Sequence, residues 1–292
     1  MNKLSLLIMP MLAIAVSANA AESEAPEGAG SEALGWTAHL KKAAIQISST
    51  EISNAKEYRN SPNSELSGDS ETVTKGVFDF SLTQEKSDYK WENSLFAEYG
   101  KTKLKPVDGP NVTNETADKI LLTTDYSRKM WEYWGAYVGP FVNLGYQTEF
   151  EANDDAPRTK IIRGMSGLKM FNGKYIKKLY GALVGEYDFT YSHDKTTKAA
   201  YEIGLEAEYP LREGIVFHTD TYWRDYFTYS SYNPTDFEYE LSAKANMMVD
   251  IYNGLQMGPF VQYFRAEDRG SSKAGASTII GIEGSYTNSW GL

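Results

Sequence analysis

Long stretches of this chain alternate apolar and polar residues with a period of two. From 199 to 209, Ala199, Tyr201, Ile203, Leu205, Ala207 and Tyr209 share one parity, with Glu202, Gly204, Glu206 and Glu208 between them. From 237 to 249, Phe237, Tyr239, Leu241, Ala243, Ala245, Met247 and Val249 alternate with Glu238, Glu240, Ser242, Lys244, Asn246 and Met248. Successive side chains of a strand point to opposite faces, so each segment has one oily face and one mostly polar face.

The same reading predicts strands over 36–51, 72–83, 89–102, 117–127, 132–147, 159–171, 176–191, 198–209, 215–226, 236–250, 255–266 and 276–290. These are about 12 strands, at or beyond the ~9–11 residues that cross a bilayer. The first strand switches parity between Trp36, Ala38, Leu40 and Ala43, Ile45, Ile47, which predicts a bulge near Lys41-Lys42. Connections alternate in length. Tight turns are expected at 85–88, 127–130, Asn172-Gly173, 211–214 and Asn253-Gly254, with longer links between them. A soluble β-sandwich accounts for the alternation but not for two kinds of loop in strict turn. The expectation is therefore an all-β chain forming an antiparallel transmembrane β-barrel of about 12 strands.

Residues 1–20 read as a signal peptide: Lys3, an apolar run from Leu4 to Val16, then the small-x-small Ala18-Asn19-Ala20. Residues 21–33 are Glu, Ala, Gly, Ser and Pro with nothing bulky, a flexible acidic leader, which leaves 34–292 for the barrel. An exported barrel is expected in the outer membrane of a Gram-negative bacterium, with outer-membrane lipid and the outer-membrane assembly machinery as partners. Trp36, Trp91, Trp131 and Trp134 lie near the starts of outward-running strands and Trp290 near the end of the last. All five are expected in a periplasmic aromatic girdle, with Trp223 alone at the outer rim.

Composition excludes several classes. The 292 residues carry 39 acidic and 29 basic side chains, a net −10, which argues against a nucleic-acid partner. Cysteine is absent, so disulfides, thiol nucleophiles and Cys-based zinc sites are excluded.

Gly35-Trp36, Trp91-Glu92-Asn93-Ser94-Leu95, Tyr99-Gly100 and Asp118-Lys119 resemble the salt-induced outer-membrane protein type, a bacterial β-barrel family of largely uncharacterised function. The likeness runs loosely over 34–292, and it implies a barrel without a substrate. In strand number the chain is also similar to small monomeric porins for acidic oligosaccharides, which implies a basic lumen. Such barrels usually end in Phe or Trp; this sequence has Trp290-Gly291-Leu292 and departs at the final residue.

With the apolar faces toward lipid, the opposite faces line a lumen. Glu186, Asp188, Glu202, Glu206, Glu208, Glu238 and Glu240 are its acidic candidates, and Arg163, Lys169, Arg224 and Lys244 its basic ones. Acids lead over the whole inward face, and a wet lumen with that excess favours cations. The leading expectation is a narrow cation-favouring diffusion channel for small solutes of unknown identity. One alternative is a closed structural or adhesive barrel acting through its outer loops, its carboxylates paired with Lys, Arg and Tyr. The other is an interfacial lipid hydrolase, which needs a serine beside His218 or His193. Catalysis, a cofactor and a metal are not expected; Asn153-Asp154-Asp155 reads as a solvated loop with weak Ca²⁺ potential.

Overall fold

The computed structural model describes residues 35–54, 57–58, 66, 72–104, 112–152, 157–231 and 236–292. The expected signal peptide and leader lie outside these residues. Thirteen strands follow one another: β1 (Trp36–Ser53), β2 (Thr72–Glu85), β3 (Tyr89–Leu104), β4 (Val112–Arg128), β5 (Trp131–Tyr133), β6 (Ala136–Thr148), β7 (Ile161–Phe171), β8 (Ile176–Asp188), β9 (Thr196–Arg212), β10 (Ile215–Tyr229), β11 (Phe237–Tyr252), β12 (Leu255–Asp268) and β13 (Gly275–Gly291). Apart from β4 and β5, successive strands pair antiparallel, β1 pairs with β13, and β4 closes on β6. β5 has three residues and pairs with β6 alone, so the wall is a closed ring of the other strands, 12 in number. Closure leaves no open sheet edge, the condition for strands to cross lipid.

One turn differs from expectation. The reversal predicted at 127–130 falls instead at Trp134-Gly135, both at positive φ (52° and 72°). Met130 donates its N–H to the Val138 carbonyl at 3.1 Å, and Trp131 stands opposite Val138. Residues 129–130 therefore interrupt one arm of a hairpin that continues beyond them as β5. Asn253-Gly254, at φ 43° and 84°, turns where its sequence predicts, because both residues tolerate the left-handed region.

The two faces divide as the alternation requires. Ile45, Ile47, Leu122, Val142, Leu144, Leu168, Leu183, Ile203, Ile280 and Ile282 are all exposed on the outer wall. At roughly 25 cal/mol per Å² of apolar surface, such a belt is stable against lipid and costly against water. Aromatic pairs flank it on both sides. Trp36–Trp91 (5.4 Å between ring centroids), Tyr89–Tyr126 (5.4 Å) and Tyr175–Tyr209 (5.2 Å) lie where outward strands begin. Tyr99–Phe150 (5.8 Å), Tyr146–Phe189 (6.4 Å) and Tyr201–Phe227 (5.1 Å) lie toward the opposite rim. Two aromatic bands around an aliphatic belt are the outer surface of a transmembrane barrel.

Two bulges redirect side chains inward. Between Leu40 and Ala43 the β1 register slips by one, and both lysines of the slip enter the interior, Lys41 to Glu92 and Lys42 to Glu283. A second slip, between Phe237 and Tyr239, turns Phe237 from the expected lipid face toward Phe264 at 6.3 Å. Toward the outer rim, Tyr58 and Leu66 of the β1–β2 connection are buried with Phe264 and Ala266, and Phe237 packs against them.

Candidate functional site

The polar faces of the strands meet inside the barrel, and the interior is uneven along its length. In the outer half, register places Arg224 of β10 directly between Glu202 of β9 and Glu240 of β11. Its Nε donates to Glu202 Oε2 at 2.5 Å, and its Nη1 to Glu240 Oε1 at 2.5 Å and to the Tyr226 hydroxyl at 3.2 Å. Tyr180 on β8 donates its hydroxyl to the remaining Glu202 oxygen at 2.5 Å. Arg224, Glu202 and Glu240 are 5%, 2% and 7% exposed, so this group is buried within the interior wall. Burying an unpaired charge costs several kcal/mol, and the matched partners make the layer tolerable.

Next to it, Arg163 grips Glu186 through Nε and Nη2 at 2.9 and 2.6 Å. Lys198 bridges Glu186 (3.6 Å) and Asp236 (3.5 Å). Lys169 pairs with Asp125 and lies over the Phe141 ring at 4.8 Å. Lys75 pairs with Glu98 at 2.9 Å, and Lys119 stands opposite Glu98 on β4. Lys244 is inward on β11, opposite Asp220. Much of the inward charge is thus consumed in cross-strand pairs.

Toward the end where the chain turns at 212–215, the interior is wet. Glu206 and Asp220 stand directly opposite each other on β9 and β10, both inward and both exposed. Neither forms an ion pair among the described residues. Lys178 and Lys244 flank them on β8 and β11, which gives a row of the order plus, minus, minus, plus. Glu208 lies beside them, 3.8 Å from Lys177 and 3.9 Å from His218.

Glu186, Asp188, Glu202, Glu206, Glu208 and Glu240 sit at inward register positions, as do Arg163, Lys169, Arg224 and Lys244. Asp188 ends its strand and accepts the Thr190 N–H at 3.0 Å. Glu238 is the exception: it falls within the β11 slip, is exposed, and makes no ion pair among the described residues, because the extra residue breaks the alternation there. Lys42 and Lys198 were absent from the basic candidates and narrow the acidic excess. Lys198 was legible from its shared parity with Glu202; Lys42 required the bulge geometry.

Five of the six tryptophans gather at one end, while Trp223 stands opposite Ile203 and Leu241 on the wall. Trp91 donates Nε1 to Thr124 at 2.9 Å, Trp131 is exposed on β5, and Trp134 is 85% exposed in the hairpin turn. Trp290 is half-buried opposite Ala38. Trp131 and Trp134 belong to the extended hairpin rather than to the start of a wall strand, because of the displaced turn. Among the described residues no serine bonds His218 or His193; His39 Nδ1 lies 2.9 Å from Ser289 Oγ. Asn153-Asp154-Asp155 lies outside the described residues.

Residues 62–153 match the family described as "Protein of unknown function (DUF3078)". No curated protein sequence matches the chain. Among solved structures, the chain is similar to an outer membrane channel from Pseudomonas putida F1, with 11% identity, 91% of this chain and 100% of that chain covered, and a TM-score of 0.44. It is also similar to the outer membrane channel DcaP of Acinetobacter baumannii (7% identity, 87% and 96% covered, TM-score 0.42). A third likeness is to the translocator domain of the autotransporter NalP from Neisseria meningitidis (10% identity, 96% and 95% covered, TM-score 0.37). The barrel assignment rests on the closed strand ladder and the outer apolar belt.

Proposed function

We propose that this chain is a narrow outer-membrane diffusion channel that passes small cations in preference to anions. The observation that carries the reading is the pair Glu206 and Asp220: inward, exposed and outside any ion pair among the described residues. Glu206 and Asp220 present two exposed carboxylates side by side at the centre of a row that Lys178 and Lys244 flank, so a passing cation meets two oxygen acceptors there. Two features make the passage narrow. Arg224, Glu202 and Glu240 fill their part of the interior, and Tyr58 and Leu66 occupy the outer end. The resemblance to the salt-induced type supplies the barrel and leaves the solute open. A basic lumen of the acidic-oligosaccharide kind has no support in a wall whose exposed pair is acidic.

The buried Arg224 layer favours one competitor, a closed barrel whose role is structural or adhesive. Single-channel recording in a planar bilayer under a KCl gradient separates the two. Small discrete steps with a cation-selective reversal potential support the channel. Silence from protein of verified fold supports the closed barrel, and a clear anion preference overturns the charge assignment.

A further inference from the structure

We propose that Lys41 is a tethered cation that limits passage through the bore, its ammonium standing where a permeating cation would be held. The inference rests on the channel reading and assigns the residue that sets its throughput. It starts from the β1 bulge, which turns two successive lysines inward. Their fates differ. Lys42 reaches Glu283 at 2.8 Å, a carboxylate whose side chain is 1% exposed and which also accepts the Gln46 amide at 2.5 Å. Lys42 is therefore spent inside the wall. Lys41 donates to Glu92 Oε1 at 2.8 Å with 41% of its side chain still exposed, so its ammonium faces the open bore.

Three carboxylates surround that ammonium. Glu92 of β3 holds it directly. Asp79 of β2 stands opposite Lys42 in the β1–β2 register, one residue along the same inward face, and acts on Lys41 from there. The third is Glu206 of β9, whose charge acts on both Lys41 and Asp79. Around the ring β9 lies five strands from β1, almost diametrically opposite, so Glu206 reaches Lys41 across the bore rather than along the wall. The two residues sit at matching depth. Lys41 is five residues past Trp36 at the start of β1, and Glu206 six residues before Arg212 at the end of β9. Lys178 of β8 acts in the same way on Glu92 of β3, four strands away. At this level the walls come close enough for one ammonium to lie in the field of both.

An ammonium on a flexible four-carbon stem is a compact point charge, so it takes the place of a mobile ion of the same sign. Wet carboxylates raise the local concentration of cations, and a fixed cation among them repels the next arrival. Lys41 therefore opposes the attraction that Glu206 and Asp220 supply. The neighbouring cations are engaged elsewhere: Lys90 lies 3.4 Å from the other Glu92 oxygen, and Lys178 lies over the Tyr180 ring at 4.9 Å.

The test compares the unsubstituted protein, Lys41→Arg, Lys41→Gln and Lys41→Ala, each of verified fold, in planar bilayers under a KCl gradient. The fold should tolerate these changes, since Glu92 keeps Lys90 and the Thr83 hydroxyl, each at 3.4 Å. Lys41→Ala is expected to conduct at least about twofold more, with a reversal potential shifted further toward cation selectivity. Lys41→Gln, which keeps a donor for Glu92, should behave as Lys41→Ala does, and Lys41→Arg should stay near the unsubstituted values. n-Propylammonium carries the atoms that the alanine removes. Added to Lys41→Ala, it should return conductance toward the unsubstituted level, whereas tetramethylammonium, with the same charge and no N–H to donate, should not. Steps seen in Lys41→Ala over a silent unsubstituted protein also support the inference. Unchanged conductance and selectivity in Lys41→Ala and Lys41→Gln overturn it and leave the channel standing. A rise that n-propylammonium does not reverse overturns it too, and gives Lys41 a purely structural role. Silence from every variant removes the channel reading and this inference together.

Discussion

Asp220 stands directly opposite Glu206 across the β9–β10 ladder, inside the barrel and exposed, with Lys178 and Lys244 one strand further out on either side. Folding placed these carboxylates next to each other, whereas Glu202, Glu240, Glu186 and Glu98 each face a cation. Like charges at such a position cost on the order of 0.2–1 kcal/mol.

Neutralising both residues, Glu206→Gln with Asp220→Asn, is expected to move the reversal potential toward zero while leaving the fold intact. Stability should rise by a few tenths of a kcal/mol, as repulsion is removed. An unchanged reversal potential in the doubly substituted channel would remove these residues from the selectivity argument.

Arg224 is expected to be the most damaging single truncation in the interior. Arg224→Ala leaves Glu202 and Glu240 buried without their cation, a loss of about 3–5 kcal/mol. Urea unfolding of the lipid-embedded barrel measures it. Combining Arg224→Leu with Glu202→Leu and Glu240→Leu should recover most of the loss, since the penalty lies in the orphaned charge. No recovery in the triple variant would show that the Arg224 side chain acts through packing.

Two glycines should respond in opposite ways. At Gly139 a methyl falls onto the Arg128 backbone carbonyl, where the β4–β6 hairpin is interrupted, whereas at Gly164 nothing lies within 4 Å. Gly139→Ala is expected to cost about 1–3 kcal/mol by overpacking. Gly164→Ala should be neutral or slightly stabilising through loss of unfolded-state freedom. Equal effects in thermal unfolding would show that the close approach at Gly139 is not a constraint.

Trp134 sits at φ 52° ahead of Gly135, a position that suits asparagine far better than an aromatic. Trp134→Asn is expected to stabilise the hairpin in detergent by up to about 1 kcal/mol. If the exposed indole rests among headgroups, the same change should slow folding into lipid vesicles. Faster or unaltered folding into vesicles would show that the ring has no interfacial role.

Most of the barrel was legible from alternation, because a strand that faces lipid on one side and water or ion pairs on the other must repeat every two residues. Ala199 to Tyr209 reads correctly for that reason, and so does the bulge at Lys41-Lys42, where parity itself changes. The turn at Trp134-Gly135 was hidden: Ser127 to Met130 carries the short polar signature of a turn, and the true reversal holds a tryptophan in a left-handed conformation. The rows of tyrosine and phenylalanine at the outer rim were also missed, since membership of a band depends on tilt and register between strands. Glu238 and Phe237 exchanged roles at a slip that no local pattern marks.

By itself the sequence determined the fold class, the approximate strand number and the two faces of nearly every strand, all of which are properties of a residue and its near neighbours. Only the tertiary structure decided which interior charges cancel. Arg224 meets Glu202 and Glu240 through register between three strands, while Glu206, of the same type and parity as Glu202, is left facing Asp220. The physical reason is that electrostatic neutralisation depends on distances of a few ångströms between residues far apart in the chain, and those distances exist only once the ring has closed.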